Sequence, residues 1–86
     1  MTTTIPVTVY TKPSCPQCTA TTRFLDANNI PYETDDATIP ENTEAIKALG
    51  YQSAPVVIAM PDGPGSEVHW YGFNPDRLAD LKAGAL

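Results

Sequence analysis

Cysteine is scarce in this chain. There are only two in 86 residues, Cys15 and Cys18, too few for a fold held together by disulfides. The single histidine, His69, leaves the usual four Cys or His ligands of a zinc site out of reach within the chain. Basic residues are also few, five against ten acidic, for a formal net charge of -5. No basic patch is available, which argues against nucleic acid and against anionic membrane surfaces as partners. No apolar run approaches the ~18 residues of a membrane-spanning helix. The opening Met1-Thr2-Thr3-Thr4-Ile5-Pro6 has neither a basic stretch nor a long apolar one, so no signal peptide is expected. A cytoplasmic, reducing location follows as the expectation. In that compartment a C-x-x-C is more often catalytic than structural.

What the chain does have is 42% hydrophobic residues, enough for a compact core in a domain near the lower size limit for folding unaided. We expect one domain spanning 1–86.

Both cysteines fall in Lys12-Pro13-Ser14-Cys15-Pro16-Gln17-Cys18. This stretch follows a β-branched run, Ile5-Pro6-Val7-Thr8-Val9-Tyr10, and precedes a segment with helical periodicity. A C-x-x-C at a strand-to-helix joint points to thiol–disulfide exchange. Only the thiolate of a cysteine is nucleophilic, and a free cysteine is mostly protonated at neutral pH. Cys15 stands where the helix begins. Pro16 suits the first helical position because its missing N–H would have no partner there. The free N–H groups of the first turn and the helix dipole favour negative charge on the Cys15 sulfur, and Lys12 adds a nearby positive charge. Cys18, one turn on, is within reach for a small-ring disulfide. One activated sulfur with a shielded second one is what a two-electron exchanger needs.

Taken in order, the chain predicts a strand over 5–10, a helix over 16–28 and a short strand over 30–34. Phe24 and Leu25 are the expected core contacts of the helix, and Asn28-Asn29 ends it. A second helix is expected over 41–49, with Ala45, Ile46, Ala48 and Leu49 inward and Gly50 as its C-terminal cap. The most apolar run, 54–59, reads as a central strand, and 60–66 as a turn. Residues 67–71 pair back as a hairpin strand, and Asn74-Pro75-Asp76 opens a last helix over 75–83 with Leu78 and Leu81 inward. The order β-α-β-α-β-β-α predicts an α/β fold of the minimal thioredoxin-like type, a mixed four-stranded sheet with helices packed on it.

Five segments carry a resemblance: Val9-Tyr10-Thr11-Lys12-Pro13, Cys15-Pro16-Gln17-Cys18, Ala48-Leu49-Gly50-Tyr51, Ala54-Pro55-Val56-Val57 and Trp70-Tyr71-Gly72-Phe73-Asn74-Pro75-Asp76. In this order and spacing they resemble the glutaredoxin-like redoxins of the NrdH type over nearly the whole chain. The resemblance implies a dithiol electron carrier, reduced by NADPH-dependent thioredoxin reductase and reducing the large subunit of class Ib ribonucleotide reductase. It implies no bound cofactor, FAD and NADPH belonging to the partner reductase, and a monomer. It also implies a cis-proline at Pro55 beside the cysteines, leaving the backbone of Ala54 free to pair with an extended substrate segment. Two positions depart from the family's usual Trp-Ser-Gly-Phe-Arg-Pro: Tyr71 stands for the serine and Asn74 for the arginine. The Gly-rich segment with which glutathione-using relatives open the last helix is replaced by Tyr71–Asp76.

Other readings stay open at this point. Cys15 and Cys18 as half of a zinc site would need carboxylates or a second subunit. As a structural bridge they would close a loop too short to remove much chain entropy. A glutathione-dependent glutaredoxin differs by electron donor, and an iron–sulfur or metal-binding module differs in class. Trp70 and Phe73 are either core packing or an apolar patch that receives a partner. Lys12 is either a surface lysine or a charge acting on Cys15. Gln17 is expected to face solvent and tune partner choice, and His69 to be surface or packing.

Overall fold

A computed structural model of the protein describes residues 6–60 and 67–83, the side chains as far as Leu81. The elements follow as β1 (Val7–Thr11), α1 (Pro16–Ala27), β2 (Glu33–Asp36), α2 (Pro40–Ala48), β3 (Val56–Ala59), β4 (Val68–Tyr71) and α3 (Pro75–Ala83). The sheet order is β2-β1-β3-β4, with β1 and β2 parallel and the other two pairings antiparallel. This is the thioredoxin-like arrangement expected from the element order. Residues 61–66 of the turn expected over 60–66, and Ile5 of the first strand, lie outside the described residues.

The core forms where alternate strand residues meet two helices. Val7 and Val9 of β1, Val57 and Ala59 of β3 and Trp70 of β4 pack with Leu25 of α1 and with Leu78 and Leu81 of α3. Phe24, Ile30, Tyr32 and Val68 close the margins. Val56, of opposite parity to Val57, is also fully buried. Each buried aliphatic side chain of this kind stabilises the fold by about 1.5–3 kcal/mol relative to exposure.

Helix ends follow the local chemistry. Asn28 caps α1, its side chain donating to the Phe24 carbonyl at 2.8 Å, and Asn29 turns the chain at φ 55°. Gly50 follows α2 at φ 94°, a left-handed conformation that glycine adopts without a Cβ penalty. At the start of α3 the Asn74 side chain accepts from the Arg77 N–H at 3.2 Å.

Three details differ from the sequence reading. The first strand is Val7–Thr11, two residues later at its start than expected and one later at its end. The second begins at Glu33. Ile30 gives its N–H to the Leu25 carbonyl at 2.9 Å, still completing the end of α1. Ile30 and Tyr32 are apolar because they pack on the core from a connection, while β2 itself is exposed at all four residues. In α2 only Ile46 is buried; Ala45 and Ala48 are exposed and Leu49 is half-buried. Alanine is a strong helix former on any face, so its spacing does not report which side is inward.

Candidate active site

The end of β1 and the start of α1 present the cysteines. Ser14 takes φ 55°, a conformation rarely adopted by a residue with a Cβ, and turns the chain into the helix. Cys15 is the N-cap of α1 in extended conformation, and Pro16 occupies the first turn. Cys15 and Cys18 are joined as a disulfide, their Cα atoms 5.2 Å apart. The Cys18 N–H donates to Cys15 Sγ at 3.1 Å. That donor belongs to the unpaired first turn, so negative charge left on Cys15 by reduction is met by a backbone dipole already aimed at it. Both cysteines are nearly buried, Cys15 at 9% exposure and Cys18 at 5%.

The first turn is further tied down by threonines. Thr19 Oγ1 donates to the Cys15 carbonyl at 3.3 Å, Thr21 Oγ1 to that of Gln17 at 2.8 Å, and Thr22 Oγ1 to that of Cys18 at 3.2 Å. Thr21 is fully buried, and this bond satisfies its hydroxyl.

Ala54, with Ala37 against it, packs on the two cysteines. The Ala54–Pro55 peptide bond is cis. The Ala54 carbonyl oxygen lies 3.9 Å from Cys15 Sγ, and the Pro55 carbonyl accepts from the Gly72 N–H at 2.9 Å. Lys12, an exposed residue, donates from Nζ to Ser53 Oγ at 2.8 Å, linking the redox turn to the loop before Pro55. Its ammonium is therefore engaged by a hydroxyl beside the site. Gln17 is exposed, yet its Oε1 accepts from the Phe73 N–H at 3.0 Å. Phe73 itself is 38% exposed, whereas Trp70, only 5% exposed, is part of the core with the Arg77 guanidinium 5.7 Å over its ring. His69 is half-buried, with Nδ1 2.9 Å from the Tyr51 hydroxyl.

On the α1 and β2 side, Cys15 and Cys18 open into a groove of about 710 Å³. Thr11, Ser14, Thr19, Thr22, Tyr32 and Thr34 give it a hydroxyl-rich lining. Burial, followed by the hydrogen bond to Asp26, raises the Tyr32 phenol above its ordinary 10.0. Among the described residues no group of three or more His, Cys, Asp or Glu side chains is placed to hold a metal ion, and no helix is long and apolar enough to cross a membrane.

Sequence reasoning missed the contributions of Ser53, Thr21, Ser14 and Gly72. Only Gly72, a glycine in a strand-to-helix turn, carried a local signal. A shallow, backbone-rich site around one disulfide can do one kind of chemistry readily: exchange of that disulfide with thiols of another molecule.

Comparison with known proteins agrees. The sequence model of the Glutaredoxin family matches residues 7–62. Glutaredoxin-like protein NrdH of Escherichia coli K12 is 36% identical over 76 residues, covering 87% of this chain and 86% of that protein. Its namesake in Lactococcus lactis subsp. lactis is 32% identical over 78 residues, covering 87% and 97%. The solved structure of the E. coli NrdH-redoxin, described as a glutaredoxin-like protein with a thioredoxin-like activity profile, superposes with a TM-score of 0.76 at 36% identity, over 88% of this chain and 93% of that one.

Proposed function

Since this chain belongs to the glutaredoxin family, as a thiol–disulfide oxidoreductase of the NrdH type, we propose that it carries electron pairs from NADPH-dependent thioredoxin reductase to the large subunit of class Ib ribonucleotide reductase. The work would take place in the cytoplasm, with the protein a monomer and without a bound cofactor of its own. The observation that carries the reading is the Cys18 N–H aimed at Cys15 Sγ in a C-x-x-C at the head of α1.

The exchange runs in two steps. The Cys15 thiolate attacks one sulfur of the target disulfide, forming a mixed disulfide and releasing the other target sulfur as a thiolate, which takes up a proton. Cys18 then loses its proton and attacks Cys15 Sγ. The intermolecular S–S bond breaks, the second target sulfur leaves and is protonated, and the Cys15–Cys18 disulfide remains. Two electrons pass from redoxin to target. Thioredoxin reductase returns them at the expense of NADPH.

Support for a thioredoxin-type donor comes from the segment entering α3. Tyr71-Gly72-Phe73-Asn74-Pro75-Asp76 stands in place of the Gly-rich segment that the family resemblance implies for glutathione users, and two of its residues, Tyr71 and Phe73, are exposed aromatics. Ala54 and Pro55 beside Cys15 supply the backbone edge on which an extended target segment would lie. Lys12 and Pro16 support the cysteine turn, and Phe73 contacts the partner.

The test follows NADPH oxidation with insulin as the disulfide substrate. One arm contains thioredoxin reductase, the other glutathione with glutathione reductase. Turnover confined to the first is the expected result. Turnover confined to the second would make the protein a glutathione-dependent glutaredoxin. Reduction of the class Ib reductase by the thioredoxin reductase-coupled protein then tests the final acceptor.

A further inference from the structure

The side chain of Gln17 is doing something its surface position does not require. It lies between the two cysteines in sequence, is exposed, and spans to a residue 56 positions away, accepting from the Phe73 N–H at 3.0 Å. The turn that receives it is shaped for the contact. Gly72 has φ 83°, and a Cβ built there would stand 2.9 Å from Gln17 Oε1. On its other side the same turn is held by the Gly72 N–H on the Pro55 carbonyl at 2.9 Å. Gln17 is itself fixed from below, its carbonyl bonded by the buried Thr21 hydroxyl at 2.8 Å. Phe73 is thus suspended between the redox motif and the proline loop, the residue 38% exposed.

We infer that Gln17 is a positioning residue for macromolecular disulfides: by holding the Phe73 backbone it fixes an exposed aromatic residue against the redox motif, and so favours protein over small-molecule disulfides. Two features argue for this over a purely structural bond. An exposed hydrogen bond stabilises a fold only weakly, because water competes for both partners. An aromatic ring kept in the open costs hydration, and fixed apolar anchors of this kind carry much of the energy of protein recognition. The inference rests on the thiol–disulfide reading of the site but not on which reductase supplies electrons.

The experiment is therefore run without any reductase. The pre-reduced protein meets either insulin or dithiobis(nitrobenzoate) in a single turnover, and the two second-order rate constants are divided. The ratio cancels any change in folded fraction. In Gln17→Ala the insulin-to-small-disulfide ratio should fall about fivefold, and Phe73→Ala should do the same. The double variant should fall no further than either single one, because both remove one contact. Gln17→Glu, which keeps an acceptor oxygen at the same reach, should recover most of the ratio. An unchanged ratio in Gln17→Ala, or a double variant whose loss is the product of the single losses, would overturn the inference. If both rates fall together, Gln17 acts on the cysteines themselves and the inference is equally wrong.

Discussion

The backbone N–H of Cys18 points at the sulfur of Cys15 across 3.1 Å. The two cysteines are therefore unequal. The Cys15 sulfur receives a donor from the helix terminus and is favoured as thiolate; Cys18, whose sulfur receives no such donor in this pairing, serves to resolve the mixed disulfide. Cys15→Ser should reduce exchange to the uncatalysed background. Cys18→Ser should allow the first attack and stop the second, leaving a covalent adduct with the target. Non-reducing gel electrophoresis of the two variants with a disulfide substrate distinguishes them, and an adduct from Cys15→Ser would reverse the assignment.

Leu25 is fully buried under the sheet in contact with the β1 and β3 valines. Leu25→Ala should destabilise the protein by about 2–5 kcal/mol, through lost burial and the cavity left behind. Urea unfolding of the oxidised protein measures it; a loss below ~1 kcal/mol would mean that the core had collapsed around the gap.

Gly72 and Gly50 make a controlled comparison. Both have positive φ, 83° and 94°, so alanine at either should cost about 1–3 kcal/mol of backbone strain. A Cβ at Gly50 meets nothing within 4 Å, while at Gly72 it meets Gln17 Oε1. Gly72→Ala should therefore change the chemical shift of the Phe73 amide as well as the unfolding midpoint, and Gly50→Ala the midpoint alone.

Asp36 accepts from the Thr38 hydroxyl at 2.6 Å and the Thr38 N–H at 2.8 Å, and these bonds hold its carboxyl below the ordinary 3.8. A lowered folded value means that ionised Asp36 favours the folded state. This contribution is present above pH 3.8 and disappears as pH falls through the folded value. The difference in urea midpoint between the protein and Asp36→Asn should accordingly be present at neutral pH and shrink in strong acid. A gap that grew in acid would have the wrong sign.

Tyr32 behaves in the opposite sense. Its phenol is raised above 10.0 by burial and by Asp26, which accepts its hydroxyl at 3.0 Å. The neutral phenol favours the folded state, fully so below pH 10.0, and the benefit is lost as pH rises through the folded value. Asp26→Asn should bring the Tyr32 titration, followed by ultraviolet absorbance against a Tyr32→Phe reference, back towards the ordinary value.

Sequence periodicity placed the elements that bury a face. The valines of β1 and β3 and the leucines of α1 and α3 recur at the spacing their element dictates, and the structure joins them in one core. Periodicity failed where no face is buried. β2 is a strand only through its ladder to Thr8–Thr11, a pairing that its own residues Glu33-Thr34-Asp35-Asp36 do not announce. The cysteines and their helix-start environment were readable because they are neighbours in sequence. Contacts that complete the site were not: Lys12 with Ser53 and Gln17 with Phe73 are separated by 41 and 56 positions, and each bond joins residues that look like ordinary surface.

The position of β2 at the edge of the sheet has its own consequence. A strand with an open hydrogen-bonding side is a template onto which another chain can add. Here three of the four residues of β2 are carboxylates, all exposed. A second molecule approaching that edge in register would bring its own acidic strand against this one, and the repulsion would defeat the pairing before any ladder formed. A thiol–disulfide oxidoreductase must bind its disulfide partner briefly and release it. With strand addition discouraged in this way, the neighbouring groove, where Thr34 of β2 lines the same space as Cys15 and Cys18, is kept for contacts that end in chemistry.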